Sequence, residues 1–296
     1  MRILVTGGAG FIGRRLIEIM VDRGYKPVCF DLIETSLCES IVRDITDRAA
    51  VFAAVQSVEA VLHLAAEANI NDARKNPAHC VAVNVGGTHN FIEACLHYGV
   101  PLHFVSTCCV YGNSSDHPSN EHSTCVPTEI YAVTKLLSEY TIKEYAERGL
   151  RYNILRYGTT YGPGLRGALA IYIFLNQALI DAPATIDGSG EQTRCYIYVD
   201  DVVAGTLAVL EKGVINKTIN FSTSEELSVL QTVEIIREET GSTNKALEFY
   251  PDRPGQIMKE QIDIDYAWKL LGWWPKVDFR EGVRRTLEWY KEHVRV

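Results

Sequence analysis

Over the first half of the chain, short apolar runs alternate with stretches whose apolar positions recur every three or four residues. The runs at residues 3–5, 27–30, 60–64, 102–106 and 153–155 are mostly apolar and too short for helices. They predict strands buried on both faces. Helical patterns at 13–24, 47–55, 77–98 and 131–148 fall between them. This alternation predicts an α/β fold, a doubly wound parallel sheet with helices on both faces and right-handed crossovers. After about residue 160 the pattern loosens. Gly162-Pro163-Gly164 is a hard turn. A helix over 168–179, a strand over 196–199 and a helix over 200–211 follow. The tail predicts a helix over 228–240, a Pro/Gly-rich loop at 250–256 and a long helix from Arg280. Two domains are expected: residues 1–157 plus 195–222, and a smaller α/β domain of 158–194 plus 223–296.

Three motifs change this picture. Gly7-Gly8-Ala9-Gly10-Phe11-Ile12-Gly13 follows the first strand and opens the first helix. In such a turn one glycine makes the bend, one lets the backbone approach a pyrophosphate, and one lets helix pack on strand; the helix N-terminus faces the diphosphate charge. The first domain is therefore expected to be a Rossmann dinucleotide-binding domain. Asp31 ends the second strand about twenty residues on, where a carboxylate accepts ribose hydroxyls and repels a 2′-phosphate; it favours NAD. Arg14 and Arg15, just past the glycines, pull the other way. Tyr131 and Lys135 are four apart at the start of a helix and project from one face. A phenol is a poor base near neutrality, but a neighbouring ammonium favours its phenolate. Thr107, ending the strand over 102–106, can hydrogen-bond the same substrate oxygen. Tyr131 would take a carbinol proton while the carbon gives hydride to the cofactor.

The composition, 47% hydrophobic and 22% charged, is ordinary for a soluble protein. A net charge of −8 argues against a nucleic-acid surface. Eight cysteines, at 29, 38, 80, 95, 108, 109, 125 and 195, form no Cys-x-x-Cys pair, so no metal site is expected. The first strand is expected right after Met1 and no targeting or membrane-spanning segment is expected, so a reduced cytoplasm is the expected location.

With the motifs in place, the chain resembles the extended short-chain dehydrogenase/reductases of the NAD-dependent sugar epimerase/dehydratase family, in their UDP-glucose 4-epimerase-like form. The residues that carry the resemblance span nearly the whole length. They include Thr6–Gly13, Arg43-Asp44-Ile45-Thr46-Asp47, His63-Leu64-Ala65-Ala66, Asn84-Val85-Gly86-Gly87-Thr88 and Ser106–Gly112. Tyr131–Lys135, Leu155-Arg156-Tyr157, Tyr161–Gly164, Gln192-Thr193-Arg194, Tyr198–Val202, Arg253-Pro254-Gly255 and Leu271–Pro275 continue it. The resemblance implies that Gly7, Gly10, Phe11, Ile12, Gly13 and Asp31 bind NAD. It adds Asp44 and Ile45 beside the adenine, and Leu64, Ala65 and Ala66 lining the cofactor. Asn84 would support the site and Tyr157 would lie by the nicotinamide ribose, with Tyr131 and Lys135 also in contact. Arg194 and Arg253 would hold the diphosphate of a nucleotide-sugar in the second domain, a role that suits guanidinium. A homodimer through the helices around 84–98 and 131–145 is also implied.

Two positions depart from the family pattern. Dehydratases of the family carry Asp-Glu after the threonine; here Cys108 and Cys109 stand there. This favours a 4-epimerase working through a transient 4-keto sugar. Cys109 also falls where sugar 3,5-epimerases of the family place a cysteine acid/base. Two readings of it stay open: a small apolar strand-end residue, or a proton carrier in a dehydratase or 3,5/5-epimerase. A 4-keto-sugar reductase is a further alternative. Thr159 stands where the family usually has an asparagine that touches the nucleotide-sugar.

Overall fold

A computed structural model describes residues 1–165, 167 and 169–293. Among these residues a seven-stranded sheet contains β1 (Arg2–Thr6), β2 (Lys26–Asp31), β3 (Glu39–Val42), β4 (Ala60–His63), β5 (Leu102–Thr107), β6 (Tyr152–Tyr157) and β11 (Lys217–Phe221). Its order is β11-β6-β5-β4-β1-β2-β3, and β1 to β6 pair in parallel. The order reverses direction at β1, next to the glycine turn, where doubly wound sheets bind ligands at their carboxyl ends. Helices α1 (Phe11–Asp22), α2 (Arg48–Gln56), α5 (Thr88–Tyr98) and α6 (Ile130–Ala146) lie between the strands in sequence. The core joins sheet residues Leu4, Val28, Phe30, Val61, Phe104 and Ile154 to Phe91 and Ile92 of α5. Phe91 meets Phe30 edge to face at 5.9 Å, a favoured aromatic geometry.

The buried strands and helix starts follow the expected pattern, with shifts at the ends. The first helix begins at Phe11 rather than Gly13, because Gly10 is extended and serves as its N-cap. Asp47 caps α2 through Ala50 N–H at 3.1 Å. Strand β3 has no counterpart in the apolar pattern. It is a half-exposed edge strand, Glu-Ser-Ile-Val, held by its register with Val28–Asp31. The stretch expected as one helix over 77–98 is three pieces. After α3 (Ile70–Lys75), a short α4 (Pro77–Val81) runs into a wide π turn over Ala82–Gly87 before α5. The turn follows from its contents: Asn84 bonds outside the helix, and Gly87 leaves room for the Ile45 side chain.

Later elements are β7 (Thr159–Tyr161), α7 (Ala170–Leu179), β8 (Ala184–Asp187), β9 (Thr193–Arg194), β10 (Tyr196–Tyr198) and α8 (Val199–Glu211). After β11 come β12 (Leu227–Ser228), α9 (Val229–Thr240), β13 (Leu247–Tyr250), α10 (Asp265–Leu271) and α11 (Phe279–His293). Ala168, the expected start of the helix over 168–179, lies outside the described residues. Ser228 and Gln231 form a capping box on α9. Two compact units emerge: Met1–Val110, Glu129–Tyr157 and Thr206–Ile219; and Tyr111–Thr128, Gly158–Gly205 and Asn220–Val296. Residues 111–128, 195–205 and 220–222, expected with the first domain, group with the second unit. Asn113 bonds both Gln256 O and Met258 N, and Cys195 bonds Glu260. Among the described residues no helix is long and apolar enough to cross a membrane.

Candidate active site

The glycine turn is built for close backbone approach. Gly7 sits at φ +67°, and its α-carbon is packed against Leu64 and Ala65. A Cβ on Gly13 would coincide with the Gly7 carbonyl oxygen, so α1 meets the turn with no room for a side chain. Gly10 caps α1 without any side-chain hydrogen bond, which leaves the first-turn amides at Phe11, Ile12 and Gly13 without a capping side chain. Asp31 accepts from Ala9 N–H through Oδ2 at 3.0 Å and from Leu32 N–H through Oδ1 at 2.7 Å. The carboxylate is thereby fixed beside the turn and keeps acceptor sites for hydroxyls. Arg14 and Arg15 both pair with Glu18 of their own helix, at 3.3 and 3.2 Å. These residues fit a dinucleotide diphosphate and ribose.

Asp44 accepts from Thr46 N–H and Oγ1–H, both at 2.8 Å, and holds the turn there. Ile45 turns its side chain into the core against Gly87, and Asn90 takes its carbonyl. Leu64, Ala65 and Ala66 follow β4 and are half-buried. A defined chain of hydrogen bonds lies under them. Thr6 Oγ1 accepts from Ala65 N–H at 3.0 Å and, since Thr88 donates to Asn84 O and must accept from His63 Nε2–H, it donates to His63 Nδ1 at 2.6 Å. His63 then carries its proton on Nε2 and donates to Thr88 Oγ1 at 3.0 Å, and Thr88 donates to the Asn84 carbonyl at 2.5 Å. Burial holds the His63 pKa well below the usual histidine range, so the ring is neutral.

Thr107 ends β5 opposite Tyr157 of β6 and accepts from Cys109 N–H at 3.1 Å. Cys109 is half-buried; Cys108 is buried, its thiol donating toward the Arg156 carbonyl at 3.6 Å. Tyr131 and Lys135 lie in the first two turns of α6. Lys135 is buried, its Nζ 4.1 Å from the Phe104 ring centroid on β5. Burial pushes the Lys135 pKa down to about 7, against opposing pulls from Glu139 and Cys80. Asn84 donates to Thr134 Oγ1 at 3.0 Å and to Glu67 O at 3.0 Å, and accepts from Glu67 N–H at 2.7 Å. Thr134 in turn donates to the Tyr131 carbonyl at 2.7 Å. Asn84 thus ties the π turn to the start of α6. Tyr157 is buried, and its hydroxyl meets Thr206 at 2.5 Å.

In the second unit, Thr159, Arg194 and Arg253 converge on the segment 253–260. Arg194 donates through Nη1 to Ile257 O at 2.8 Å, and Arg253 donates to Gln256 Oε1 at 3.0 Å. Arg253 Nε lies 3.5 Å from Asp187 and has no hydrogen bond among the described residues. Glu260 is buried; its carboxyl bonds Cys195 N–H and the Thr159 hydroxyl and faces Arg194. Burial raises its pKa.

The sequence assigns no role to Ser106 and Arg156, although both lie in motifs that carry the resemblance, and does not single out Glu139. Arg156 Nη2 meets Glu139 Oε2 at 2.6 Å, Arg156 Nε meets Oε1 at 3.1 Å, and Ser106 donates to Oε1 at 2.5 Å. All three are buried. The signal was available: Tyr131, Lys135 and Glu139 continue one spacing of four, and Arg156 interrupts an apolar strand.

A family model described as the NAD dependent epimerase/dehydratase family matches residues 3–222, and the chain belongs to that family. It is an enzyme of that NAD-dependent class. A UDP-glucuronate 4-epimerase of Thermodesulfobacterium geofontis is 32% identical, over 98% of this chain and 96% of its own. A dTDP-D-glucose 4,6-dehydratase of Mus musculus is also 32% identical, over 99% of this chain and 89% of its own. The crystal structure of UDP-glucose 4-epimerase from Thermotoga maritima with UDP-glucose superposes with a TM-score of 0.95, at 31% identity over 100% of both chains.

Proposed function

We propose that the protein is a nucleotide-sugar 4-epimerase acting through a transient 4-keto sugar. The observation that carries this reading is the pair after Thr107. Buried Cys108 and half-buried Cys109 offer neither of the carboxyl groups that elimination of water uses at these positions. Bound NAD supplies the two-electron oxidation of the C4 carbinol and its reversal. Tyr131 removes the C4 hydroxyl proton and returns it, Thr107 Oγ1 orients the hydroxyl, and Lys135 as an ammonium favours the Tyr131 phenolate. Gly7, Gly10 and Gly13 with Asp31 hold the dinucleotide, and Arg194 and Arg253 take the substrate diphosphate. Rotation of the keto sugar exposes its other face before reduction.

The test is turnover of UDP-, dTDP-, GDP- and CDP-sugars in deuterated water. A product of unchanged mass with inverted C4, read by NMR, is expected. Loss of water, or deuterium at C3 or C5, would overturn the proposal and assign the proton transfer to Cys109. We also propose a homodimer paired through α5 and α6, supported by Leu137 and Tyr140, which are exposed on α6. Light scattering at low micromolar concentration is expected to give twice the 33.1 kDa chain mass; the mass of one chain would refute the pairing.

A further inference from the structure

Beneath the proposed catalytic pair lies a buried ionic group that the 4-epimerase mechanism leaves unused. Glu139 is one helical turn past Lys135 on α6, and its side chain is fully removed from solvent. Three hydrogen bonds fix its carboxylate: two from Arg156 on β6, at 2.6 and 3.1 Å, and one from Ser106 on β5 at 2.5 Å. A carboxylate held this firmly inside a protein is a fixed negative charge rather than a mobile side chain.

Of the other ionisable groups around Lys135, Tyr131 is the one it is proposed to tune, and neither His63 nor Cys80 offers it a fixed charge. His63 on β4 is neutral, because burial and the Lys135 charge both disfavour its cation. The Cys80 thiol on α4 is pushed up by burial, against a hydrogen bond with Thr134, and its pull on Lys135 is smaller than that of Glu139. Beneath Nζ, β5 offers the face of Phe104, which attracts a cation but cannot accept a proton. Glu139 therefore supplies the negative charge that opposes the desolvation of Lys135, while Arg156 tempers it from the far side.

We propose that Glu139 is a positioning residue for the proton chemistry of Tyr131: clamped by Arg156 and Ser106, its buried carboxylate favours the ammonium form of Lys135 against the desolvation that opposes it. The carboxylate acts through Lys135 and touches no reacting atom. This rests on the catalytic reading of Tyr131 and Lys135, and the test separates the two.

Selective ¹³C labelling of lysine lets NMR follow the Lys135 side chain as pH is varied in the cofactor-loaded protein. The same samples give the pH profile of turnover. In Glu139→Gln the Lys135 midpoint is expected to fall by roughly one unit. The alkaline limb of turnover should move down with it, while KM stays near its original value. Glu139→Gln leaves Arg156 buried beside a neutral amide and is the less stable choice. The paired variant Glu139→Gln with Arg156→Met removes both charges and keeps an acceptor for Ser106; it should show a downward shift too, smaller than that of Glu139→Gln because the opposing guanidinium is also gone. A Lys135 midpoint unchanged in either folded variant overturns the proposal. A midpoint that falls while the turnover profile stays fixed leaves Glu139 as the tuner of Lys135 and refutes the catalytic reading of Lys135 instead.

Discussion

Replacing Tyr131 by phenylalanine is expected to lower turnover ~10³-fold, within the range that removal of a positioned acid/base produces. The protein should keep its fold and its bound cofactor. The side chain is half-buried in the first turn of α6, so loss of one hydroxyl removes little packed volume. The backbone around it is held from elsewhere: Thr134 bonds the Tyr131 carbonyl, and Asn84 bonds Thr134. Phenylalanine preserves the ring and those bonds while deleting the hydroxyl that is proposed to exchange the C4 hydroxyl proton. Three readings on one preparation decide the matter: the melting temperature, the NAD released on denaturation, and the rate of C4 inversion. A variant that retains a tenth of the original rate would remove Tyr131 from the mechanism. A variant that loses rate together with cofactor would make the phenol a binding group.

The sequence shows best the parts of this fold that are apolar on both faces. Strands at Ile3–Val5 and Leu102–Ser106 have few polar residues, and burial on both sides leaves them no other assignment. The glycine turn is legible for a related reason. Gly7 and Gly13 occupy positions where a side chain would strike backbone, so steric demand writes itself directly into residue identity. Edge strand β3 is hidden because its order comes from pairing with β2, not from its own half-polar residues. The π turn is hidden because Ala82–Gly87 carries the same apolar spacing as the helices around it; Asn84 reveals it only through bonds to distant residues. The buried support of the site is least legible. Glu139 and Arg156 are seventeen positions apart, and nothing in either segment announces that a helix and a strand bring them together. Thr159 shows the same limit. Its identity marks a departure from its family, but its hydroxyl bond to Glu260 depends on a segment one hundred residues away.

Arg156→Met is expected to destabilise the protein by about 3–5 kcal/mol near neutral pH, the usual result of leaving one member of a buried ion pair without its counter-charge. Arg156 and Glu139 are 3% and 0% exposed at the side chain, so water cannot replace the missing guanidinium. Lys135, one turn away on α6, compensates part of the loss, which favours the lower end of that range. The deficit should depend on pH with a definite sign. Without Arg156 the folded protein holds Glu139 in an apolar setting that favours the neutral acid over the carboxylate. The folded variant then binds more protons than its unfolded chain, so it loses stability as pH rises. Denaturant titrations should therefore show the deficit shrinking in acid and smallest below about pH 4, where the carboxyl takes its proton in the unfolded chain as well. Adding Glu139→Gln removes the stranded charge and should restore most of the loss, because a buried ion pair replaced by neutral groups of similar size is often close to neutral in stability. If Arg156→Met proves as stable as the parent at pH 7, the carboxylate has found water or another cation. If the paired variant is no better than the single one, the cost lies in packing rather than charge. The combination of single-variant loss, recovery in the pair and decline of the deficit in acid is the signature of a charge held inside the fold by its partner.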